Sequence, residues 1–144
     1  MPDVAPNSRQ GTGVTLTYTL MFAVAFALMN LWLSFRTGKL RIGTKILLGD
    51  GGNMLLEARM RAQANFLEHV PLALILIGLI EMRVGPSRLL FGLGIALVLA
   101  RIAHPYGMER QGSNIYRAGG FLVTLLVMAA LIVWGALLLY GFTG

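Results

Sequence analysis

Val14–Phe35 reads VTLTYTLMFAVAFALMNLWLSF, 22 residues without a charge. At 1.5 Å per residue this stretch crosses a hydrocarbon core of about 30 Å. Tyr18 and Trp32 lie near its ends, where amphipathic rings favour the membrane–water boundary. The segment before it, residues 1–13, is polar and carries Pro and Gly. It reads as a short flexible tail rather than a signal peptide, which places an apolar stretch and a small-residue cleavage site behind its charges.

Composition agrees. The chain has 144 residues, 56% hydrophobic and 12% charged, with mean hydropathy +0.72 and no cysteine. A soluble domain carries about 25% charged residues, so this chain lacks the polar surface to cover a core of its own and a soluble enzyme is excluded. Without cysteine there is no disulfide framework, thiolate metal site or cysteine nucleophile. Two histidines alone do not make a structural zinc site, so no metal is expected.

Three more spans follow. Val70–Ile80 is strongly apolar but too short alone, and extends backward through Met54–His69 into a helix whose first half carries Glu57, Arg59, Arg61, Asn65 and Glu68. Leu89–Ala100 extends through Arg101 and His104, and Gly119–Gly144 is uncharged throughout. The chain therefore reads as an all-α, multi-pass integral membrane four-helix bundle. Its helices run roughly over 14–36, 54–82, 87–104 and 118–142, within a single domain spanning 14–144. The 37–53 segment is the one extended connection, and its Gly49-Asp50-Gly51-Gly52 turn ends the loop ahead of the second helix.

Arg36, Lys39, Arg41, Lys45, Arg59, Arg61, Arg101, Arg110 and Arg117 fall on one side of these spans, and Arg9, Arg83 and Arg88 on the other. Loops rich in Lys/Arg stay cytoplasmic, so both termini are expected on the opposite side. This asymmetry accounts for the net charge of +6 without a nucleic-acid partner.

The polar residues inside the spans are the functional signal. An ionisable group at a helix centre costs about +2.5–3.5 kcal/mol on insertion scales and faces a bundle interior or wet cavity. Arg61, Asn65 and Glu68 lie at i, i+4 and i+7, one stripe of a helix. Pro71, three residues on, removes a backbone donor and predicts a kink that opens space beside Glu68. Arg101 and His104 form an i, i+3 pair ending the third helix on the same side. Arg117 opens the fourth helix, followed by Ala118-Gly119-Gly120, small residues that allow another helix to approach. Guanidinium forks suit carboxylates, Asn65 both donates and accepts, and Glu68 accepts from an ammonium. A small zwitterion with more than one carboxylate fits this set; so does a second reading, in which Arg61 and Glu68 pair with each other to fasten helices together.

As strings, these residues resemble a known family. Arg61-Ala-Gln-Ala-Asn65-Phe-Leu-Glu68-His-Val-Pro71 is similar to the R-A-x-x-N-x-x-E-x-x-P signature of MAPEG proteins, membrane-associated proteins in eicosanoid and glutathione metabolism. Gly49-Asp50-Gly51-Gly52, Arg101-Ile-Ala-His104-Pro-Tyr106-Gly107 and Arg117-Ala-Gly119 resemble, in order, stretches of the bacterial branch. The resemblance covers residues 15 to 142. It implies a homotrimer in a bacterial inner membrane, with glutathione as co-substrate bound between protomers near the cytoplasmic side. Arg61, Asn65 and Glu68 would hold the polar ends of glutathione, with Arg101 and His104 lining the same site. Arg117 would stabilise the thiolate, and Arg36 matches a first-helix arginine that contacts a ligand carboxylate.

There are departures from the family pattern. Met108 stands where eukaryotic relatives carry a tyrosine, and Pro105 discourages the helix from reaching it. Tyr106 is the candidate to supply that hydroxyl instead. Ala118 replaces the serine of prostaglandin-forming members. The resemblance thus implies a glutathione-dependent transferase or peroxidase acting on a lipophilic electrophile or hydroperoxide drawn from membrane lipid. The rival readings are a non-catalytic binder of glutathione or an acidic lipid, and a purely structural membrane protein.

Overall fold

The computed structural model describes residues 15–110, 112 and 114–141; the tail at 1–13 lies outside them. Four helices run up and down in chain order: α1 (Thr17–Thr44), α2 (Met54–Val84), α3 (Arg88–Met108) and α4 (Ile115–Leu139). In hydrocarbon every backbone polar group must be satisfied within its own segment, which is why uninterrupted apolar stretches become uninterrupted helices. α1, α3 and α4 are each long and apolar enough to cross a membrane. α2 is not among these three; its first half carries Glu57, Arg59, Arg61 and Glu68 and its end Glu81 and Arg83, yet it packs against all three others.

α2 and α3 form the middle of the bundle. α1 packs on both, α4 packs on both, and among the described residues α1 and α4 do not meet. Each flanking helix buries a narrow stripe: Phe22, Phe26, Leu33 and Thr37 on α1; Gly120, Thr124, Val127 and Leu131 on α4. These stripes close over Phe66, Val70, Ala73 and Ile77 of α2 and Leu90 and Leu97 of α3. The opposite faces leave Leu20, Val24, Leu28, Leu31, Leu122, Leu126, Ile132 and Val133 exposed. That much apolar surface marks a lipid-facing exterior.

Two boundaries differ from the sequence reading by four residues or more. α1 continues eight residues past Arg36 to Thr44, so the connection to α2 shrinks. Lys45, at φ 57°, stops the helix with its N–H bonded to the carbonyls of Arg41 and Ile42. Arg41 then holds the loop by donating from Nη1 to the carbonyls of Ile46, Leu47 and Gly49 at 2.9–3.3 Å. Gly49, Gly51 and Gly52 all take positive φ, and Asn53 caps α2 by accepting from Leu56 N at 3.0 Å. α3 likewise runs through Pro105 to Met108. Proline lacks only its own N–H, its carbonyl still accepts from Glu109 N, and close packing on α4 holds the backbone of His104 in register.

The start of α1 has no capping side chain of its own. Glu81, near the end of α2, supplies the cap. Its carboxylate accepts from Tyr18 N and Thr19 N at 2.8 Å each and from Thr19 Oγ1 at 2.6 Å. The acid is 1% exposed, stabilised by three donors and by the positive end of the helix dipole.

Candidate functional site

The α3–α4 turn builds the site. Asn114 caps α4 by accepting from Arg117 N at 3.0 Å, and its Nδ2 donates to Gly107 O at 2.8 Å. One side chain thus starts α4 and ties it to the end of α3. Gly107 and Gly120 let the two helices close up: a Cβ at Gly107 would run into Arg117 N, and one at Gly120 would meet Ala100 O at 2.8 Å. Of the small residues after Arg117, Gly120 is the one that makes the close approach; a Cβ at Gly119 meets nothing within 4 Å.

This arrangement sets Arg117 opposite the polar stripe of α2. Between them lies a cavity of about 680 Å³, whose polar walls are Arg61, Asn65, Glu68, His104, Asn114 and Arg117, with Met108 and Phe121 among its apolar ones. A second hollow of about 450 Å³ shares Arg61, Met108 and Arg117 with it and extends to Met54 and Leu55 at the start of α2. Arg61, Glu68 and Arg117 are exposed in the single chain, whereas His104 is buried. Arg61 faces Glu57 at 3.8 Å, both of them exposed, and among the described residues no ion pair joins Arg61 to Glu68. The fastening pair considered from spacing is therefore not what the stripe makes.

Arg101 and Tyr106 stand apart from the cavity. Arg101 is 1% exposed and serves as a buried clamp. Its Nη1 donates to Asn65 Oδ1 at 2.7 Å, and its Nη2 reaches Gly120 O at 3.4 Å and bonds Thr124 Oγ1. It fastens α2, α3 and α4 together behind the cavity wall rather than lining it, because the i, i+3 offset from His104 turns its long side chain further inward. Tyr106 points to the other side of α3 and packs on Trp32 of α1, ring centroids 5.9 Å apart. It supplies no hydroxyl to the cavity; Met108, brought in by the extra turn of α3, occupies that wall.

Arg36 also lies elsewhere. It pairs with Glu109 and sits 4.2 Å over the Trp32 ring. Arg59 bonds the same carboxylate at 2.8 Å and the carbonyl of Arg36 at 3.0 Å. Three helices are thus joined at this end through one acid. Asn114, Phe121 and Thr124 were missed by motif reading. Asn114 alone carries a signal, as a capping residue type just ahead of an apolar helix.

The MAPEG family model matches residues 19–137. The chain belongs to the MAPEG family. As a MAPEG protein it is similar to the inner membrane protein YecN of Escherichia coli K12, at 30% identity over 99 residues, 69% of this chain and 76% of that relative. The same protein from E. coli O6:H1 matches over the same share at 30% identity. An inner-membrane relative and three membrane-span helices make this MAPEG chain an integral membrane protein of the bacterial type.

Proposed function

We propose that this MAPEG protein is a glutathione-dependent membrane enzyme, a transferase or peroxidase, with its site at the cytoplasmic face and both chain termini on the opposite side. The observation that carries this reading is the cavity itself: two guanidiniums, a carboxylate, two amides and a buried imidazole around about 680 Å³ at one end of the bundle. Glutathione has two carboxylates and an ammonium. Arg61 answers a carboxylate, Glu68 the ammonium, and Asn65 and Asn114 the peptide groups. The cavity is open where Arg61, Glu68 and Arg117 are exposed, and a neighbouring protomer of a homotrimer closes it there.

Arg117 is the residue assigned to the thiol. A free thiol has a pKa near 8.5, so at neutral pH little of it is thiolate, the actual nucleophile. A guanidinium within a few ångströms in a medium drier than water favours the anion. A drop of one to two units corresponds to roughly 1.4–2.7 kcal/mol, a modest demand on one arginine. The thiolate sulfur then bonds to an electrophilic carbon of a lipophilic substrate entering from the bilayer, displacing a leaving anion or, in an addition, leaving a carbanion that is protonated. With a lipid hydroperoxide it takes the distal oxygen, the O–O bond breaks to release the alcohol, and a second glutathione thiol converts the sulfenate to glutathione disulfide and water. Titrating the detergent-solubilised protein with glutathione, following heat and thiolate absorbance together, tests this. Saturable binding with a thiolate signal is expected; binding without thiolate makes the protein a binder only, and no binding overturns the reading.

A further inference from the structure

The last turn of α3 is held from outside its own helix. Pro105 has no N–H to give the carbonyl of Arg101, so the turn that follows is tied to the rest of α3 by one bond fewer. At the far end of the bundle only Gly85, Pro86 and Ser87 separate α2 from α3. At the cavity end no loop joins α3 to α1 or α2, and one carboxylate spans the gap. Glu109 closes α3, its N–H bonded to Pro105 O at 3.4 Å. Its Oε1 accepts from Arg59 Nε at 2.8 Å and from Arg36 Nη2. The three side chains are only 15–26% exposed, so water and salt screen this cluster less than an open surface pair. Arg36 is itself fixed, stacked on Trp32, and Arg59 also donates from Nη1 to its carbonyl at 3.0 Å.

The pin connects directly to the cavity wall. Met108, the residue before Glu109, lines the cavity. Two residues before Glu109, Gly107 O accepts from Asn114 Nδ2, and Asn114 Oδ1 accepts from Arg117 N. On α2, Arg59 lies two residues ahead of Arg61. We propose that Glu109 is a positioning residue for thiol activation: by locking the end of α3 onto α1 and α2, it fixes Arg117 against the α2 stripe that holds glutathione. This rests on the reading of Arg117 as the group that stabilises the thiolate. Distance is what the pin controls. Coulomb attraction falls as 1/r, so a guanidinium drifting from about 4 to about 6 Å from sulfur loses about one-third of its effect. The α2 residues Arg61, Asn65 and Glu68 stay on one uninterrupted helix and keep their hold on the tripeptide.

The test titrates glutathione into the detergent-solubilised wild type, Glu109→Gln, Glu109→Asp and Arg59→Gln. It reads calorimetric affinity and the pH at which half of the bound glutathione is thiolate. In Glu109→Gln that midpoint is expected to rise by about half a unit, one-third of the effect assigned to Arg117, leaving about three-fold less thiolate at neutral pH. Affinity is expected to stay within about two-fold of the wild type. Glu109→Asp, which keeps the charge, returns the midpoint most of the way, and Arg59→Gln raises it in part. A role in stability alone would lower the melting temperature and leave the midpoint in place. An unmoved midpoint in Glu109→Gln, or in Arg59→Gln if the first variant does not fold, overturns the proposal. So does an affinity loss of about tenfold, which would make Glu109 a ligand contact. A wild type without any thiolate signal removes the Arg117 reading and this proposal together, whereas wild-type thiolate with unmoved variants removes the proposal alone.

Discussion

The Arg101 guanidinium donates to the side-chain oxygen of Asn65 across 2.7 Å, joining a wholly buried residue to one in the cavity wall. The bond sets which way the Asn65 amide faces: its oxygen turns back to Arg101, leaving the NH₂ group as the donor available to a ligand. An apolar side chain in place of Arg101 leaves its buried acceptors without their donor and frees a site residue at once. Arg101→Met is therefore expected to destabilise the bundle by about 1–3 kcal/mol, the cost of lost hydrogen bonds to a charged group. A thermal melt in detergent reads the loss. Unchanged melting would mean that the clamp contributes nothing to the fold.

Glu68→Gln and Arg61→Ala act on the ligand alone. Both side chains are exposed in the single chain, so stability is expected to hold. Glutathione affinity falls about tenfold or more, since each removes one charge-assisted bond worth about 1.5–3 kcal/mol. Calorimetric affinity equal to that of the wild type would remove these residues from the site.

Arg117→Ala separates binding from activation. Glutathione is expected to bind, while the pH at which half of it is thiolate rises by about one to two units, because the cation that favours the anion is gone. The pH–rate profile moves in the same direction. An undiminished thiolate absorbance at neutral pH would assign activation to another group.

Asn114→Ala tests positioning. The cap on Arg117 N and the tie to Gly107 are both lost, at about 1 kcal/mol for the cap. Since Asn114 also lines the cavity, thiolate formation should drop even where the protein stays folded. Asn114→Asp, which keeps the capping oxygen, restores the melting temperature but not the donor to Gly107.

Glu81→Gln probes the far end. The carboxylate accepts from two backbone N–H groups and one hydroxyl, and its neutral replacement is expected to cost about 0.5–2 kcal/mol as a weakened cap. Glutathione binding is expected to be untouched, since the cavity lies at the other end of the bundle. A lowered affinity in this variant would reveal coupling between the two ends.

Much of this molecule is written locally. The uncharged run from Val14 to Phe35 and the one after Gly119 mark helices, because a membrane tolerates no other unpaired backbone. The Arg61–Asn65–Glu68 stripe follows from 3.6 residues per turn. Those features depend only on neighbours along the chain. Whether a polar residue then faces a cavity, a core or a partner depends on how the helices lie against each other. Arg101 and His104 share one helix end, yet packing against Gly120 and Thr124 buries the guanidinium as a clamp and leaves the imidazole in the cavity wall. Tyr106 lies two residues from His104 and is turned onto Trp32 instead. Glu81 caps a helix that begins 62 residues or more earlier in the chain, a pairing no local pattern encodes. Sequence alone determined the spans and the candidate polar groups; tertiary packing decided which of those groups a ligand can reach, because a side chain's partners are set by the neighbouring helix surface.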